Sequence, residues 1–116
     1  MKVASLNQIA KVKVDLEGAE NAFKQIPLSR EDGAPLFSFR VFTIEPEGHT
    51  PYHQHPYEHL NYVIKGHGTL VTEDGKGIEI GEGDFAMVLP DEMHQYRNGS
   101  DSTPLIVICA VPKEYE

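Results

Sequence analysis

Hydrophobic and polar positions alternate along most of the chain in short runs, and Gly, Pro, Asn and Asp interrupt them at close intervals. That is the pattern of strands joined by turns; helical periodicity is nearly absent. The alternation predicts strands over 23–28, 36–44, 52–55, 59–65, 69–72, 77–80, 85–89, 94–97 and 105–111. The first two are joined through an Asp-Gly-Ala-Pro turn in the segment 30–35, and a break at Pro46-Glu47-Gly48 precedes the third. Gly66 and Gly68 separate two more, Asp74-Gly75 marks a hairpin, and Asn98-Gly99-Ser100-Asp101 forms the last tight turn. The expected fold class is therefore all-β, with roughly nine strands. Residues 1–22 alternate only weakly, at Val12, Val14 and Leu16, and read as an N-terminal arm or an edge strand.

Composition narrows the picture. A chain of 116 residues with 40% hydrophobic and 24% charged residues suits one globular domain over 1–116, and no boundary divides it. The formal net charge of -8, with no local Lys/Arg cluster, opposes a phosphate backbone and argues against nucleic acid as a partner. No stretch approaches the roughly 20 apolar residues of a membrane span, and no leader pattern opens the chain, so a soluble cytoplasmic protein is expected. The single cysteine, Cys109, excludes an internal disulfide framework and a cysteine-rich zinc site. Any metal site must be built from histidine and carboxylate.

Candidate chemistry is concentrated in one stretch. His53-Gln54-His55-Pro56-Tyr57-Glu58-His59 holds three of the six histidines. Residues two apart on a strand share a face, so His53 and His55 can reach one point. His59 opens the next strand, and His94 follows another proline-containing turn. In a small barrel these four can converge.

At this level of detail the sequence resembles the cupins, small β-barrels or jelly rolls in which two short motifs line a metal site. The first motif, G-x5-H-x-H-x(3,4)-E-x6-G, is matched by His53, His55 and the closing Gly66, and counting back across the six-residue spacer places His59 where the motif has Glu. The second, G-x5-P-x-G-x2-H-x3-N, is matched by Gly83, His94 and Asn98. Glu47 stands at the usual Gly of the first motif, while Leu89 and Asp91 replace the usual Pro and Gly of the second. The barrel motifs cover 36–112. The resemblance implies a cupin-type double-stranded β-helix of the four-histidine kind, similar to small manganese-binding bacterial cupins. It also implies one divalent transition metal per chain, held by His53, His55, His59 and His94. The ion can be Mn, Fe, Ni, Co, Cu or Zn, because four neutral imidazoles suit them all. With the ligands behaving as ordinary histidines, affinity is expected to fall as pH drops through about 6.5.

Other residues receive weaker assignments. Glu58 competes with His59 as a ligand, but alternation turns it outward. His49 and His67 read as solvated loop residues. Asn61 and Tyr96 each follow a ligand by two residues and should face inward, as substrate contacts or as partners of the ligands. Arg40 is either a solvated charge or an anion clamp in the barrel mouth, and Cys109 is a small core residue that can line the pocket. No catalytic group is evident from the sequence. The leading functional expectation is a metal-dependent oxidoreductase of dioxygenase type acting on a small oxygenated molecule, with anionic or enolisable ligands favoured by the uncharged donor set. The rivals are a noncatalytic metal or small-molecule binding module and a metal-dependent isomerase or lyase. A homodimer is expected, associating through sheet edges or the arm.

Overall fold

The computed structural model describes residues 1–116. Nine strands form it: β1 (Val12–Lys13), β2 (Glu20–Leu28), β3 (Phe37–His49), β4 (His59–Lys65), β5 (His67–Val71), β6 (Gly77–Gly81), β7 (Phe85–Val88), β8 (Gln95–Arg97) and β9 (Leu105–Pro112). All pairings are antiparallel, and the sheet runs β6-β5-β8-β3-β9-β4-β7, with β2 also on β3 and β1 on the free edge of β2. The strand β3 is the hinge of this arrangement. Its first part pairs with β2 and β9, and its last residue, His49, reaches Arg97 of β8, so one curled sheet closes around an interior.

Alternation decides what faces that interior. Along β9, Leu105, Val107, Cys109 and Val111 are buried and the residues between them are half-exposed; along β4, His59, Asn61 and Val63 are buried while Leu60 is exposed. The apolar core gathers Ala22, Ile44, Val63, Leu70, Ile80, Tyr96, Leu105 and Val107. The polar inward positions His59, Asn61, His94 and Arg40 lie on the same strands or their flanks and are likewise buried. Hydrocarbon core and polar inward positions thus meet inside the barrel, with Ile44, Tyr96 and Val107 of the core also lining its cavity.

Two expectations change, and one alternative is resolved. The strand predicted at 52–55 is reduced to a single bridge between His53 and His94, because Pro51 and Pro56 on either side lack the N–H a ladder needs. The break at Pro46-Glu47-Gly48 is not a turn but an irregularity within β3, which continues to His49. Gly48 is required there: a Cβ would come within 2.7 Å of the Glu20 carbonyl oxygen. The arm is an edge strand of its own barrel. Val12 pairs with Lys24, the Val14 amide donates to the Ala22 carbonyl at 2.8 Å, and Val14 packs on the core.

The two non-glycine substitutions in the motifs keep the glycine conformation. Glu47 and Asp91 both have φ of 65°, in the left-handed region that glycine occupies without strain. Asp91 is held there by its amide, which donates to the His55 carbonyl at 2.8 Å and ties the turn before His94 to the His53–His55 segment.

Candidate metal centre

His53 and His94 face each other through a reciprocal pair of backbone hydrogen bonds, His53 N–H to His94 O at 3.1 Å and His94 N–H to His53 O at 3.0 Å. The bridge sets the two imidazoles side by side, with ring centroids 5.0 Å apart. His55 lies 5.2 Å from His53, 4.8 Å from His94 and 5.0 Å from His59, and His59 lies 5.0 Å from His94. His53, His55 and His94 form one converging group, and His59 adjoins it through His55 and His94. The donor atoms of His53, His55 and His94 all fall within 4.8 Å of one another, and His59 Nε2 is 3.2 Å from His94 Nε2.

Hydrogen bonds choose the tautomers. Carbonyl oxygens only accept, so His55 Nδ1–H donates to Tyr57 O at 2.8 Å and His94 Nδ1–H donates to Glu92 O at 2.7 Å. His59 Nδ1–H points to Asn61 Oδ1 at 3.2 Å, with Cys109 Sγ at 3.3 Å, while the Asn61 amide donates to the Tyr96 hydroxyl. Each arrangement leaves Nε2 as a bare lone pair. The lone pairs of His59 and His94 then confront each other at 3.2 Å with no proton between them, an arrangement that a shared cation relieves.

Electrostatics agree with that fit. Burial holds all four imidazoles below the ordinary histidine range, with neighbouring histidines adding to the effect at His53, His59 and His94; His53 is pulled down to about 4 and His59 to about 3. The rings are neutral at physiological pH and ready to donate. Burial pushes the Tyr96 phenol and the Cys109 thiol up, so both stay protonated, and neither is poised as a base in this state.

The rings look into a cavity of about 330 Å³. Val12, Val14, Leu16, Phe42, Ile44 and Val107 supply apolar wall, and Arg40, Asn61, Tyr96 and Cys109 also line it. Arg40, which alternation left either solvated or in the barrel mouth, is buried: its guanidinium donates to Cys109 Sγ at 3.1 Å and to Tyr115 O at 3.3 Å. Glu58 is exposed, as alternation required. His67 is exposed but opens β5 rather than sitting in a loop. His49 departs further from expectation, being half-buried with Nδ1 3.3 Å from Gln95 Nε2.

Several contributors were not anticipated. Tyr57 stacks on His55, and Tyr115 stacks on Tyr57 at 3.9 Å. Lys24 and the arm residues 12–16 line the cavity. Tyr57 is two residues from His55, a spacing that carries a signal; Lys24 and Tyr115 meet the site only through folding.

Residues 40–111, more than half of the chain, match the family profile for the cupin domain. The protein belongs to the cupin family. Among solved structures, the polyketide cyclase RemF from Streptomyces resistomycificus superposes with a TM-score of 0.91 at 27% identity, covering 97% of this chain and 79% of that one. A cupin 2 domain-containing protein from Halorhodospira halophila superposes at 0.75 with 28% identity, covering 89% and 75%. A predicted oxalate decarboxylase from Thermotoga maritima superposes at 0.83 with 20% identity, covering 97% and 99%, a likeness of fold. No curated protein matches the sequence. No helix is long and apolar enough to cross a membrane.

Proposed function

We propose that the chain is a metal-dependent enzyme acting on an enolisable, oxygenated small molecule, and that it promotes ring closure, the activity for which RemF is named, with loss of water. The observation that carries this reading is the placement of four neutral imidazoles against an apolar-walled cavity of about 330 Å³ with protonated Tyr96 and Cys109 inside it. His53, His55, His59 and His94 would hold one divalent transition metal, which supplies Lewis-acid polarisation of a carbonyl oxygen. The rest falls to the chain. The apolar walls exclude water, Asn61 orients both His59 and the Tyr96 hydroxyl, and Tyr96 is the group able to deliver a proton to a departing or developing oxygen.

Oxygenase chemistry, the leading expectation from the sequence, is retained as the second reading, because a neutral donor set suits iron as well as zinc. The two are separated by presenting the protein, loaded in turn with Mn(II), Fe(II), Co(II) and Zn(II), with 3-oxo thioesters and diketones. Mass loss of water and solvent-deuterium incorporation at the α-carbon without oxygen uptake support the first reading. Oxygen uptake dependent on Fe(II) or Mn(II) supports the second. Metal binding with neither supports a binding module. A cytoplasmic setting remains part of this proposal and is compatible with the free, buried Cys109.

The association surface proposed here is a sheet face rather than the arm, which is engaged within its own chain. Cross-strand neighbours place Phe39, Ala110, Leu60 and Met87 in one row across β3, β9, β4 and β7, and Phe39, Leu60 and Met87 are exposed. A homodimer would cover this row. Light scattering of Leu60→Lys against the parent protein tests it, since a parent monomer at micromolar concentration removes the proposal.

A further inference from the structure

The cavity wall contains a buried cation, Arg40, that forms no ion pair. Arg40 is only 8% exposed, and its guanidinium has five N–H donors, of which the contacts to Cys109 Sγ and Tyr115 O use two. Its Nε is buried and has no hydrogen-bond partner. The ring of Phe42 lies 5.0 Å from the guanidinium carbon and offers a quadrupole, not an anion. The two ion pairs of the molecule, Lys2 with Asp32 and Arg30 with Glu116, do not include Arg40. The nearby carboxylate of Glu116 is taken up by the Ser38 hydroxyl and the Arg30 amide. Burying an unpaired cation is costly, and folds keep one where something else supplies the negative charge.

A second cation stands beside it. Lys24 lines the same cavity, and its ammonium is held below the ordinary lysine range by burial first and then by the Arg40 charge, against an opposing pull from Glu116. Lys13 also lines the cavity, and Asp15 is the one carboxylate that does. In a chain of net charge -8, this wall carries three cations and one anion. The guanidinium is two contacts from the imidazole cluster: Arg40 Nη2 to Cys109 Sγ is 3.1 Å, and Cys109 Sγ to His59 Nδ1 is 3.3 Å.

We propose that Arg40, with Lys24 beside it, forms an anion-binding subsite of the cavity next to the imidazoles, so that the ligand is an oxo compound bearing a separate carboxylate. This deepens the proposed function and rests on it only for the oxo end. The oxo oxygens face His53, His55, His59 and His94, and the carboxylate meets the Arg40 guanidinium, through the Nη hydrogens its two contacts leave over, and the Lys24 charge. Such two-point binding fixes direction: a neutral ketone of the same size binds at one end only.

Two measurements test this. In the first, protein freed of metal by chelator dialysis is titrated with glutarate while the Arg40 Nε–H resonance is followed by ¹⁵N–¹H NMR. A saturable downfield shift is expected, weakened several-fold in Lys24→Met. An Arg40 resonance that does not move overturns the proposal, whatever the metal does. In the second, Co(II)-loaded protein is titrated calorimetrically with 2-oxoglutarate and 2-oxobutyrate, which share a chelating head and differ in the distal carboxylate. The parent protein should prefer 2-oxoglutarate at least tenfold, and Arg40→Gln should erase the preference while still taking up Co(II). Arg40→Lys, which keeps the charge but loses the planar donors, should retain part of it and covers the case in which Arg40→Gln does not fold. Equal affinities in the parent, or a preference that survives in folded Arg40→Gln, overturn the proposal. Failure of Co(II) to bind any of these proteins instead removes the metal reading, and the glutarate titration still decides the anion site.

Discussion

Tyr57 lies flat on the imidazole of His55, with ring centroids 3.9 Å apart and planes 6° from parallel. The same residue accepts the His55 Nδ1 proton on its carbonyl oxygen, so one amino acid fixes both the plane and the tautomer of a candidate ligand. Tyr115 closes the other face of the Tyr57 ring at 3.9 Å, adding a third layer from the chain's last residues.

The first prediction follows from this stack. Tyr57→Ala keeps the carbonyl but removes the ring, freeing His55 to rotate about its side-chain bonds. An aromatic pair contributes about 0.5–1.5 kcal/mol beyond burial, so Co(II) affinity should fall by roughly two- to tenfold, while Tyr57→Phe should match the parent. Calorimetric titration measures both; equal losses in the two variants would mean that the hydroxyl, not the stack, matters.

Burial changes the expected pH dependence. Ordinary histidines would surrender a metal as pH falls through about 6.5. Here desolvation disfavours the imidazolium, and His53 and His59 take protons only near 4 and 3 in the metal-free fold. Proton competition at these two donors therefore begins well below 6.5, and Co(II) affinity should stay nearly level between pH 7.5 and about 5.5. Stability of the metal-free protein should behave differently. Below 6.5 the unfolded chain binds protons that the fold refuses, so these residues lower stability progressively as pH falls from about 6.5 toward 4 for His53 and toward 3 for His59, and they contribute no slope above that window. Denaturant midpoints that are flat across the window would contradict these shifts.

Most of the barrel was legible because period-two alternation and turn residues report directly on which strand faces are buried, as in β4 and β9. The histidine cluster was legible because the His53 and His55 rings do converge, although their segment forms a single bridge and no strand, and because His59 shares a strand face with Asn61. Lys24 and Tyr115 were not, since Lys24 lines the cavity and Tyr115 stacks on Tyr57 and accepts from Arg40 only through a pairing or a chain end whose position depends on the whole fold. Arg40 was ambiguous for a physical reason: on β3 both Arg40 and Val41 are buried, so alternation there does not distinguish inside from outside. The segment 52–55 misled in the opposite way, because its alternating residues suggested a ladder that the flanking prolines prevent.

Glu47 and Asp91 offer a test of backbone strain. Each holds a φ of 65°, which costs an ordinary residue roughly 1 kcal/mol relative to glycine. Glu47→Gly and Asp91→Gly should therefore each be neutral to stabilising by up to about 1 kcal/mol, the gain being reduced by the added freedom of glycine in the unfolded chain. Asp91→Val, β-branched and unsuited to that φ, should destabilise and disturb the turn before His94. Urea denaturation of the three variants gives the ranking, and a loss of more than 1 kcal/mol in either glycine variant would show that the carboxylate side chain outweighs the strain.

The last prediction concerns which of two adjacent residues belongs to the site. His59 is buried, with Nε2 3.2 Å from His94 Nε2 and Nδ1 held by Asn61, whereas Glu58 is exposed on the opposite face of the chain. Removing His59 takes away one of the four proposed donors and leaves the Asn61 carbonyl oxygen without its partner. His59→Ala should lower Co(II) affinity by at least roughly tenfold, the scale on which even the supports of metal ligands act. Glu58→Gln removes a carboxylate that water screens from the cluster, and affinity should stay within a few-fold. The spectrum adds a check that affinity alone lacks: the d–d bands of the Co(II) protein should change in His59→Ala, because a donor has been replaced, and should be superimposable on the parent in Glu58→Gln. A changed spectrum in Glu58→Gln alongside an unchanged one in His59→Ala would mean that the carboxylate, not the imidazole, is the fourth donor.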